Sequence, residues 1–403
     1  MEYANKDIST EEENETLQDM NYDPDKFQQA VIWSTDWTTE TINNQLLKGN
    51  IDLNPSFQRR DAWTDNEKSR LIESLMLGLP VPPIILAENK KKKNSYIVID
   101  GKQRLLSIRR FFVENKEDQF KPLKLKALDI LNQLNGTTIG NAKINYPEYI
   151  RNLENQPIRT IVIKNWPDEP FLYTVFLRLN TGSKKLSPQE LRQALKPGKF
   201  LDYLDEATAT SSSIMKMLNN KSADTRMKDI ELALRFFAYH YFFEDYTGNL
   251  KDFLDMTCER LNKSWVDKET EIKDLFVNLE NAIEFAYDIM ESPSPFSRYV
   301  KKENSNRFNK SIFELFSFYF SKKEIRELVE EHKKEFVSNF IKMNNDGEFI
   351  TAISGTTKDI NNLYIRFTKF YDILNSFDNS CEVTIPKVNI VDGKITIISN
   401  LSI

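Results

Sequence analysis

The stretch Tyr96-Ile-Val-Ile-Asp-Gly-Lys-Gln-Arg-Leu-Leu-Ser-Ile-Arg-Arg-Phe-Phe112 decides how this chain is expected to fold. Residues 96–99 are typical of a strand, and they lead directly into Asp100-Gly101. From Lys102 onward, apolar residues recur at helical spacing; they are Leu105, Ile108, Phe111 and Phe112. The pattern predicts a strand that enters a helix through a tight turn at Gly101.

This turn has the composition of an anion-binding site. Gly101 lacks a Cβ atom, so its backbone can approach a ligand closely, and the first N–H groups of the helix point outward beside Lys102, Gln103 and Arg104. The same residues are also compatible with an ordinary Asp-Gly turn followed by a solvated helical turn. These residues alone leave both interpretations open.

Composition bounds the class of protein. The chain has 403 residues, of which 40% are hydrophobic and 12% aromatic, so it can form two or three globular domains. Its net charge is −5, but residues 1–30 contain nine acidic residues against Lys6 and Lys26. The remaining residues therefore carry about +2, and a nearly neutral body disfavours a dedicated DNA-binding protein.

Cysteine usage and hydropathy indicate the compartment. Cys258 and Cys381 are far apart in sequence, which argues against a disulfide framework or a zinc ribbon and fits a reducing cytoplasm. No apolar run reaches about 18 residues, and the N-terminal residues are acidic. We therefore expect a cytoplasmic protein without a membrane span or a secretory signal.

Four regions are predicted along the chain. Residues 1–27 form an acidic disordered tail, 28–198 an α/β domain, 199–380 a mostly α-helical domain, and 381–403 a β-hairpin turning at Asp392-Gly393. Capping boxes begin helices at Thr64 and at Ser187. Strands are predicted in the α/β domain at 30–34, 51–53, 84–86, 96–99, 123–128 and 158–163, and one long helix at 323–343 in the helical domain.

Two further segments have polar residues at chain turns. Asn54-Pro-Ser-Phe-Gln-Arg-Arg60 follows a predicted strand and would suit phosphate binding, although two arginines there also fit a basic surface corner. Phe176-Leu-Arg-Leu-Asn-Thr-Gly182 places Arg178 and Asn180 at a helix end. An ordinary helical hairpin, in which Asn180 caps backbone groups, is the alternative there.

Taken together, in their order and spacing, these segments resemble the N-terminal domain family of GmrSD-type restriction endonucleases, which is similar to the ParB/sulfiredoxin superfold. The third segment continues as Leu186-Ser-Pro-Gln-Glu-Leu191, and the resemblance covers about residues 32–195. It implies an α+β fold: a ParB/sulfiredoxin-like α/β domain, then a mostly α-helical domain and a short C-terminal β-hairpin. It also implies a site for a nucleoside triphosphate (NTP) and Mg²⁺. The matching nucleotide-binding positions are Gln58, Arg59, Gly101, Lys102, Gln103, Arg104, Arg178 and Asn180.

Roles for these residues follow from the resemblance and agree with their chemistry. Basic side chains around a helix start could balance the charge of a triphosphate. Asp100 and Asn180 offer oxygen ligands suited to Mg²⁺, and Asp100 or Gln103 could orient a water molecule for hydrolysis. The expected catalytic residues are Asp100, Gln103 and Arg104, and the expected metal ligands are Asp100 and Asn180.

The chain departs from the family pattern at three points. The common motif is Asp-Gly-Gln-Gln-Arg, and Lys102 replaces its first Gln, which makes tight binding without turnover an open outcome. Leu179 stands where ParB-like proteins have an acidic residue. Related restriction enzymes carry a His-Asn-His nuclease, whereas this sequence has only His240 and His332, in a core helix and an exposed helix. We therefore expect no nuclease motif.

The leading hypothesis is a Mg²⁺-dependent, NTP-binding and NTP-hydrolysing component of a prokaryotic anti-phage, restriction-like defence system, which gates a separate effector protein. One alternative is a ParB-like module that binds DNA or senses its modification, although the charge and the lack of a basic recognition helix disfavour it. Another is a scaffold or antitoxin-like protein that binds a partner and has a vestigial nucleotide pocket.

Overall fold

The structure is a computed structural model that describes residues 28–51, 53, 60, 62–115, 117–179, 187–300, 303–355, 357–378 and 383–398. Contacts divide the chain between Leu195 and Lys196, and Thr225–Met227 group with the residues before that point. We call the two parts the sheet domain and the helical domain. The regional boundaries drawn from the sequence stay predictions.

The sheet domain is built from short strands and helices. Thr38 caps α1 by accepting a hydrogen bond from the Thr41 N–H at 3.1 Å, and Thr64 and Glu67 form the expected capping box of α2. The elements are β1 (Val31–Thr38), α1 (Thr39–Leu47), α2 (Asp65–Met76), β2 (Ile84–Glu88), β3 (Tyr96–Asp100), α3 (Lys102–Phe111), α4 (Ile139–Asn145), α5 (Pro147–Asn155), β4 (Pro157–Lys164), α6 (Glu169–Leu179) and α7 (Pro188–Leu195).

The four strands form one mixed sheet in the order β1-β4-β2-β3. β2 runs parallel to β4, and the two outer pairs are antiparallel. β2 is apolar on both sides because both faces of the sheet are covered. Ile84 and Leu86 pack in a core with α1 to α5, whereas Ile85 and Ala87 pack with α6 and α7. The domain therefore has three layers, with helices on both faces of the sheet, and β3 is an edge strand of that sheet.

One predicted strand of the sheet domain is wrong, and another is described only in part. Ile51 makes a parallel bridge to Tyr96, Leu53 belongs to no strand, and Asp52 lies outside the described residues. Residues 123–126 alternate between buried and exposed, but the alternation ends at the exposed Ala127, and residues 123–128 belong to no strand. Their N–H groups donate instead to the Arg110 and Thr137 carbonyls, to Ser69 Oγ and to Asn135 Oδ1. The period-two pattern predicted burial over 123–126 correctly and hydrogen bonding wrongly.

The helical domain contains most of the aromatic residues. Its elements are α8 (Lys199–Thr210), α9 (Ser212–Met217), α10 (Lys228–Phe242), α11 (Leu250–Lys263), α12 (Trp265–Met290), β5 (Ser297–Val300), β6 (Glu303–Phe308), α13 (Lys310–Phe320), α14 (Lys323–Glu331), α15 (Lys333–Met343), α16 (Gly347–Ser354), α17 (Ile360–Asn375), β7 (Lys387–Val391) and β8 (Lys394–Ile398). β5 and β6 pair with each other, and no sequence pattern predicted them.

The single helix predicted at 323–343 is two helices separated at His332. The His332 ring stacks on Phe377 with centroids 5.0 Å apart, and its Nδ1 lies 3.0 Å from the Leu328 carbonyl oxygen. Its backbone leaves helical geometry, with φ −110° and ψ 24°. The helix therefore ends before His332 and a new one begins after it, although the helical spacing of apolar residues continues across this position.

The predicted C-terminal hairpin is confirmed. β7 and β8 pair antiparallel, and the turn residues Asp392 and Gly393 both have positive φ, 51° and 74°. A two-residue turn of this kind matches the twist of the flanking strands. The α+β class, with an N-terminal sheet, a helical middle and a terminal hairpin, is therefore confirmed. Among the described residues, no helix combines the length and apolar content needed to cross a membrane.

Candidate functional site

The turn between β3 and α3 requires glycine. Gly101 has φ 101°, a backbone conformation that other residues rarely adopt, and it occupies the N-cap position without a side-chain cap. A Cβ atom there would lie 3.2 Å from Ile84 Cγ1 and 3.3 Å from an Arg104 guanidinium nitrogen. The start of α3 is thus held close to β2. We call residues 100–104 the corner.

Asp100 and Arg104 form an ion pair across the corner. One carboxylate oxygen of Asp100 accepts a hydrogen bond from the Gly101 N–H at 2.7 Å, and the other accepts from Arg104 NH2 at 2.9 Å. Arg104 NH2 also donates to the Pro83 carbonyl at 2.9 Å. The Asp100 side chain is 42% exposed and that of Arg104 is 12% exposed. A solvent-accessible carboxylate therefore stands at the start of a helix, beside a partly buried arginine.

Lys102 does not extend into solvent. Its ammonium lies 3.3 Å from Glu190 Oε1, and both side chains are only 6% exposed. The other Glu190 oxygen accepts from the Ser187 N–H at 2.7 Å, and Ser187 Oγ accepts from the Glu190 N–H. The capping box predicted at Ser187 is confirmed, and its glutamate has a second role. Glu190 joins the start of α7 to the start of α3.

The helix α7 brings further polar side chains into the interior. Gln189 and Arg192 are completely buried, and Gln193 is 5% exposed. Arg192 NH1 donates to Gln189 Oε1 at 2.8 Å. Sequence reasoning placed no function on these residues or on Glu190. The signal that could have found them is the density of polar residues in Gln189-Glu-Leu-Arg-Gln193, because a helix packed against β3 would normally be apolar on that side.

Of the other predicted site residues, one lies in the corner, one lies at the end of α6, and three lie outside the described residues. Gln103 is in the first turn of α3, where its carbonyl accepts a hydrogen bond from Ser107 Oγ at 2.7 Å. Arg178 is exposed in the last turn of α6. Gln58, Arg59 and Asn180 lie outside the described residues. The structure therefore brings together Asp100, Gly101, Lys102, Gln103 and Arg104 and adds Glu190.

Asp100 is the corner residue whose carboxylate could serve as a ligand of Mg²⁺. Each Asp100 oxygen makes one of the hydrogen bonds described above and retains capacity for another contact, and the group is open to solvent. Mg²⁺ commonly takes only one or two protein carboxylates and completes its shell with waters and phosphate oxygens. In the part of the chain that the structure describes, no group of three or more His, Cys, Asp or Glu side chains is arranged to hold a metal. Among those residues, side chains alone therefore do not form a complete metal-binding site.

Comparison with known families finds one match, and it lies in the sheet domain. The family model described as GmrSD restriction endonuclease, N-terminal domain, matches residues 40–195. This segment is therefore similar to the N-terminal domain of GmrSD-type restriction endonucleases. The match extends from α1 to the end of α7, so it contains the corner and Glu190, and it confirms the resemblance found in the sequence. No curated protein and no solved structure gives a significant match to the chain.

Proposed function

We propose that this protein binds and hydrolyses a nucleoside triphosphate at the corner, and that its nucleotide state gates a separate effector in a prokaryotic anti-phage defence system. The GmrSD N-terminal domain relates the protein to restriction systems. The nucleotide chemistry and the gating are the proposal, and they rest on the geometry of the corner.

The observation that carries the proposal is the helix start at Gly101. A helix N-terminus carries partial positive charge and outward N–H groups, and α3 begins at Gly101 without a side-chain cap. Arg104 lies one turn into the helix, where its guanidinium can contact an anion near Asp100. A carboxylate, a glycine and an arginine within five residues are among the groups that phosphoryl-transfer sites use.

Each corner residue has a distinct role in this proposal. Asp100 would hold Mg²⁺, which would neutralise part of the phosphate charge. Arg104 would contact phosphate oxygens and is oriented by Asp100 and by the Pro83 carbonyl. Gln103, or Asp100 itself, would orient the attacking water. Arg59, Arg178, Gln58 and Asn180 are proposed additional nucleotide contacts, and Asn180 is a proposed second metal ligand.

One observation favours a second candidate, a partner-binding scaffold with a vestigial nucleotide pocket. Both cations of the corner already have carboxylate partners, because Arg104 pairs with Asp100 and Lys102 pairs with Glu190. The two pairs leave the corner without excess positive charge. A triphosphate would have to compete with these carboxylates, and such competition weakens binding.

Phosphate release tests the proposal directly. The protein would be incubated with Mg²⁺ and ATP, GTP, CTP or UTP, and wild type would be compared with Asp100→Ala and Arg104→Ala. Glu114→Gln is the matched control, since Glu114 forms an exposed pair with Lys143 in the same domain. Circular dichroism confirms that each variant is folded.

We expect turnover of at least one nucleotide by wild type and by Glu114→Gln, and a loss of at least 100-fold in the two corner variants, which corresponds to about 2.7 kcal/mol. Binding without turnover, measured by calorimetry, would make the protein a nucleotide sensor. If no nucleotide binds, the proposal fails and the scaffold function is favoured.

A further inference from the structure

We propose that Glu190 and Ser187 are positioning residues that couple the corner to α10, the helix that begins at Lys228. A change at the start of α3 would pass through these two side chains to residues 225–227, and from there along the chain into α10. The inference rests on the proposed function only where a nucleotide is the signal, because the coupling itself can be measured without one.

A continuous series of polar contacts leads from the corner to residues 225–227. The Lys102 ammonium lies 3.3 Å from Glu190 Oε1, and the other Glu190 oxygen accepts a hydrogen bond from the Ser187 N–H at 2.7 Å. The Ser187 hydroxyl oxygen accepts from the Glu190 N–H at 3.1 Å, and its single proton is donated to the Arg226 carbonyl at 2.7 Å. Ser187 therefore fixes the start of α7 and holds Arg226 at the same time.

Residues 225–227 are a short excursion of the chain between its two domains. Contacts group them with the sheet domain, whereas the chain before and after them, at Asp224 and Lys228, groups with the helical domain. The base of the excursion is closed within the helical domain. Asp224 Oδ1 accepts from the Lys228 N–H, and the Asp224 N–H donates to Asp229 Oδ2, both at 3.2 Å. The helix α10 therefore begins where this closed loop ends.

The excursion contains a backbone conformation that its surroundings must hold. Met227 has φ 57°, in the left-handed region that residues with a side chain rarely adopt, and it is completely buried. Such conformations persist where neighbouring contacts enforce them, and they are concentrated at active sites and switch regions. The hydrogen bond from Ser187 acts on Arg226, the residue immediately before Met227. Loss of this bond is therefore expected to release the segment.

The helix α10 continues into buried ion pairs of the helical domain. Glu231 and Arg235 pair at 2.9 Å within α10, and Arg235 also pairs with Glu314 of α13 at 2.8 Å. Arg235 and Glu314 are both nearly completely buried. A shift at the start of α10 thus acts on the interior of the helical domain rather than on a solvated helix.

The signal can enter at the exposed part of the corner. Asp100 is 42% exposed, and it lies two residues before Lys102, the first residue of α3. A ligand held by Asp100 and the start of α3 needs no access to the buried Lys102 or Glu190. Displacement of the helix start changes the distance between the Lys102 ammonium and Glu190, and Glu190 also determines how α7 begins.

Hydrogen–deuterium exchange followed by mass spectrometry measures the coupling without a nucleotide. Lys102→Met alters the corner, Ser187→Ala removes the hydroxyl that holds Arg226, and Ser187→Thr keeps a hydroxyl there. The signal is amide exchange in residues 228–235 of α10, and α13 of the same domain is the internal reference. Thr64→Ala is the matched control, because it removes the capping box of α2 in the sheet domain. It separates the loss of a helix cap from the loss of the link to Arg226.

We expect Lys102→Met and Ser187→Ala each to speed exchange in residues 228–235, relative to α13, by at least about five-fold. Ser187→Thr and Thr64→Ala should change it by less than about two-fold. Once Ser187→Ala is present, adding Lys102→Met should have little further effect, because both changes break the same series of contacts.

Mg²⁺ and each of the four nucleoside triphosphates test whether the corner uses this link. The preferred nucleotide should change exchange in residues 228–235 of wild type by at least about five-fold. Ser187→Ala should still bind that nucleotide, as measured by calorimetry, but its exchange in α10 should not respond.

The inference is overturned if Ser187→Ala changes exchange in residues 228–235 no more than Thr64→Ala does. Fully additive effects of Lys102→Met and Ser187→Ala overturn it as well, and so does a bound nucleotide that leaves exchange in α10 of wild type unchanged. Nucleotide binding at the corner is unaffected by these outcomes. If no nucleotide binds, the proposed function fails, and the exchange of the unliganded variants alone decides the coupling.

Discussion

Buried cations meet carboxylates at several places in this molecule, and two of these places have different surroundings. At the corner, Asp100 pairs with Arg104 and Glu190 pairs with Lys102. In the helical domain, Glu314 lies between two arginines: its Oε1 accepts from Arg235 and its Oε2 from Arg366, both at 2.8 Å. Glu231 accepts from Arg235 and Lys310 at 2.9 Å. We call Glu231, Arg235, Lys310, Glu314 and Arg366 the core network.

The centre of the core network is buried, whereas Glu231 and Lys310 at its edge are 16% and 17% exposed. Glu314 and Arg366 are each 2% exposed, and Arg235 is 4% exposed. Aromatic rings surround the network, and Tyr239 packs near Phe367 and Phe243. Burial, and then the charge of Glu314, raise the pKa of Tyr239 well above its usual value. No helix start with a glycine cap and no exposed carboxylate belongs to these five residues.

The comparison shows which features separate a structural ion pair from a candidate ligand site. An unpartnered nitrogen is not sufficient, since Arg366 Nε lacks a partner in the described structure just as Arg104 Nε does. The corner differs because Asp100 is 42% exposed and because α3 begins there at a glycine. We therefore assign stability to the core network and ligand binding to the corner, and the predictions below test that assignment.

The largest effect is expected at the centre of the core network. Glu314→Gln removes the charge that two buried arginines share, so it should lower the free energy of unfolding by about 3–5 kcal/mol. Urea unfolding measures this change. Glu284→Gln is the control, because Glu284 pairs with Lys216 at 44% and 48% exposure in the same domain and should cost less than about 1 kcal/mol. Equal costs for the two variants would contradict a structural core network.

A smaller effect is expected where the corner meets α7. Lys102→Met or Glu190→Gln alone leaves a buried charge without its partner and should cost about 3 kcal/mol each. The double variant should cost about 1–3 kcal/mol less than the sum, because neither charge remains. A double-mutant cycle by urea unfolding measures this coupling. Additive costs, within about 0.5 kcal/mol, would show that Lys102 and Glu190 do not interact.

The backbone of the corner should be the next most sensitive feature. Gly101→Ala forces a side chain into a left-handed conformation and toward Ile84, so we expect a loss of about 1–2 kcal/mol in unfolding free energy. Gly140→Ala is the matched control, since Gly140 lies in α4 and an added Cβ atom there would have no neighbouring atom within 4 Å. That change should stabilise by about 0.5–1 kcal/mol. We expect the unfolding free energy to fall for Gly101→Ala and to rise for Gly140→Ala. Changes in the same direction would contradict a glycine requirement at Gly101.

The smallest expected effect is a pH dependence of the core network. Burial raises the pKa of Glu231, but the positive charges of Lys310 and Arg235 lower it by more than burial raises it. The pKa of Glu231 therefore lies below the ordinary 4.5. The stabilisation by ionised Glu231 is thus complete above about pH 4.5 and is lost as the pH falls. The stability difference between wild type and Glu231→Gln should shrink by about 0.8 kcal/mol from pH 7 to pH 4. If urea unfolding gave the same difference between the two proteins at pH 7 and at pH 4, the result would contradict an ionised Glu231 in the core network.

Local sequence signals predicted much of the fold because their causes are local. The capping boxes at Thr64 and Ser187, the glycine turn at Gly101 and the Asp392-Gly393 hairpin each depend on residues within four positions of one another. The five neighbouring residues from Asp100 to Arg104 were singled out for the same reason, and their role as a binding site stays a prediction.

Long-range pairing could not be predicted from the same signals. Glu190 contacts Lys102 across 88 positions, and Glu314 joins residues 79 positions before it and 52 after it. A single sequence does not show which carboxylate a buried lysine will meet. The alternation at 123–126 shows the same limit, because period two reports burial but not the hydrogen-bond partner.

Ligand binding at the corner is best tested by the change in unfolding temperature when Mg²⁺ and each nucleoside triphosphate are added to wild type, Arg104→Ala and Glu314→Gln. A ligand that binds only the folded state at 100 times its Kd adds about 2.7 kcal/mol of stability. We predict that wild type and the less stable Glu314→Gln gain the same shift with the preferred nucleotide, and that Arg104→Ala gains none. No shift with any nucleotide, or an equal shift in Arg104→Ala, would contradict the assignment of ligand binding to the corner.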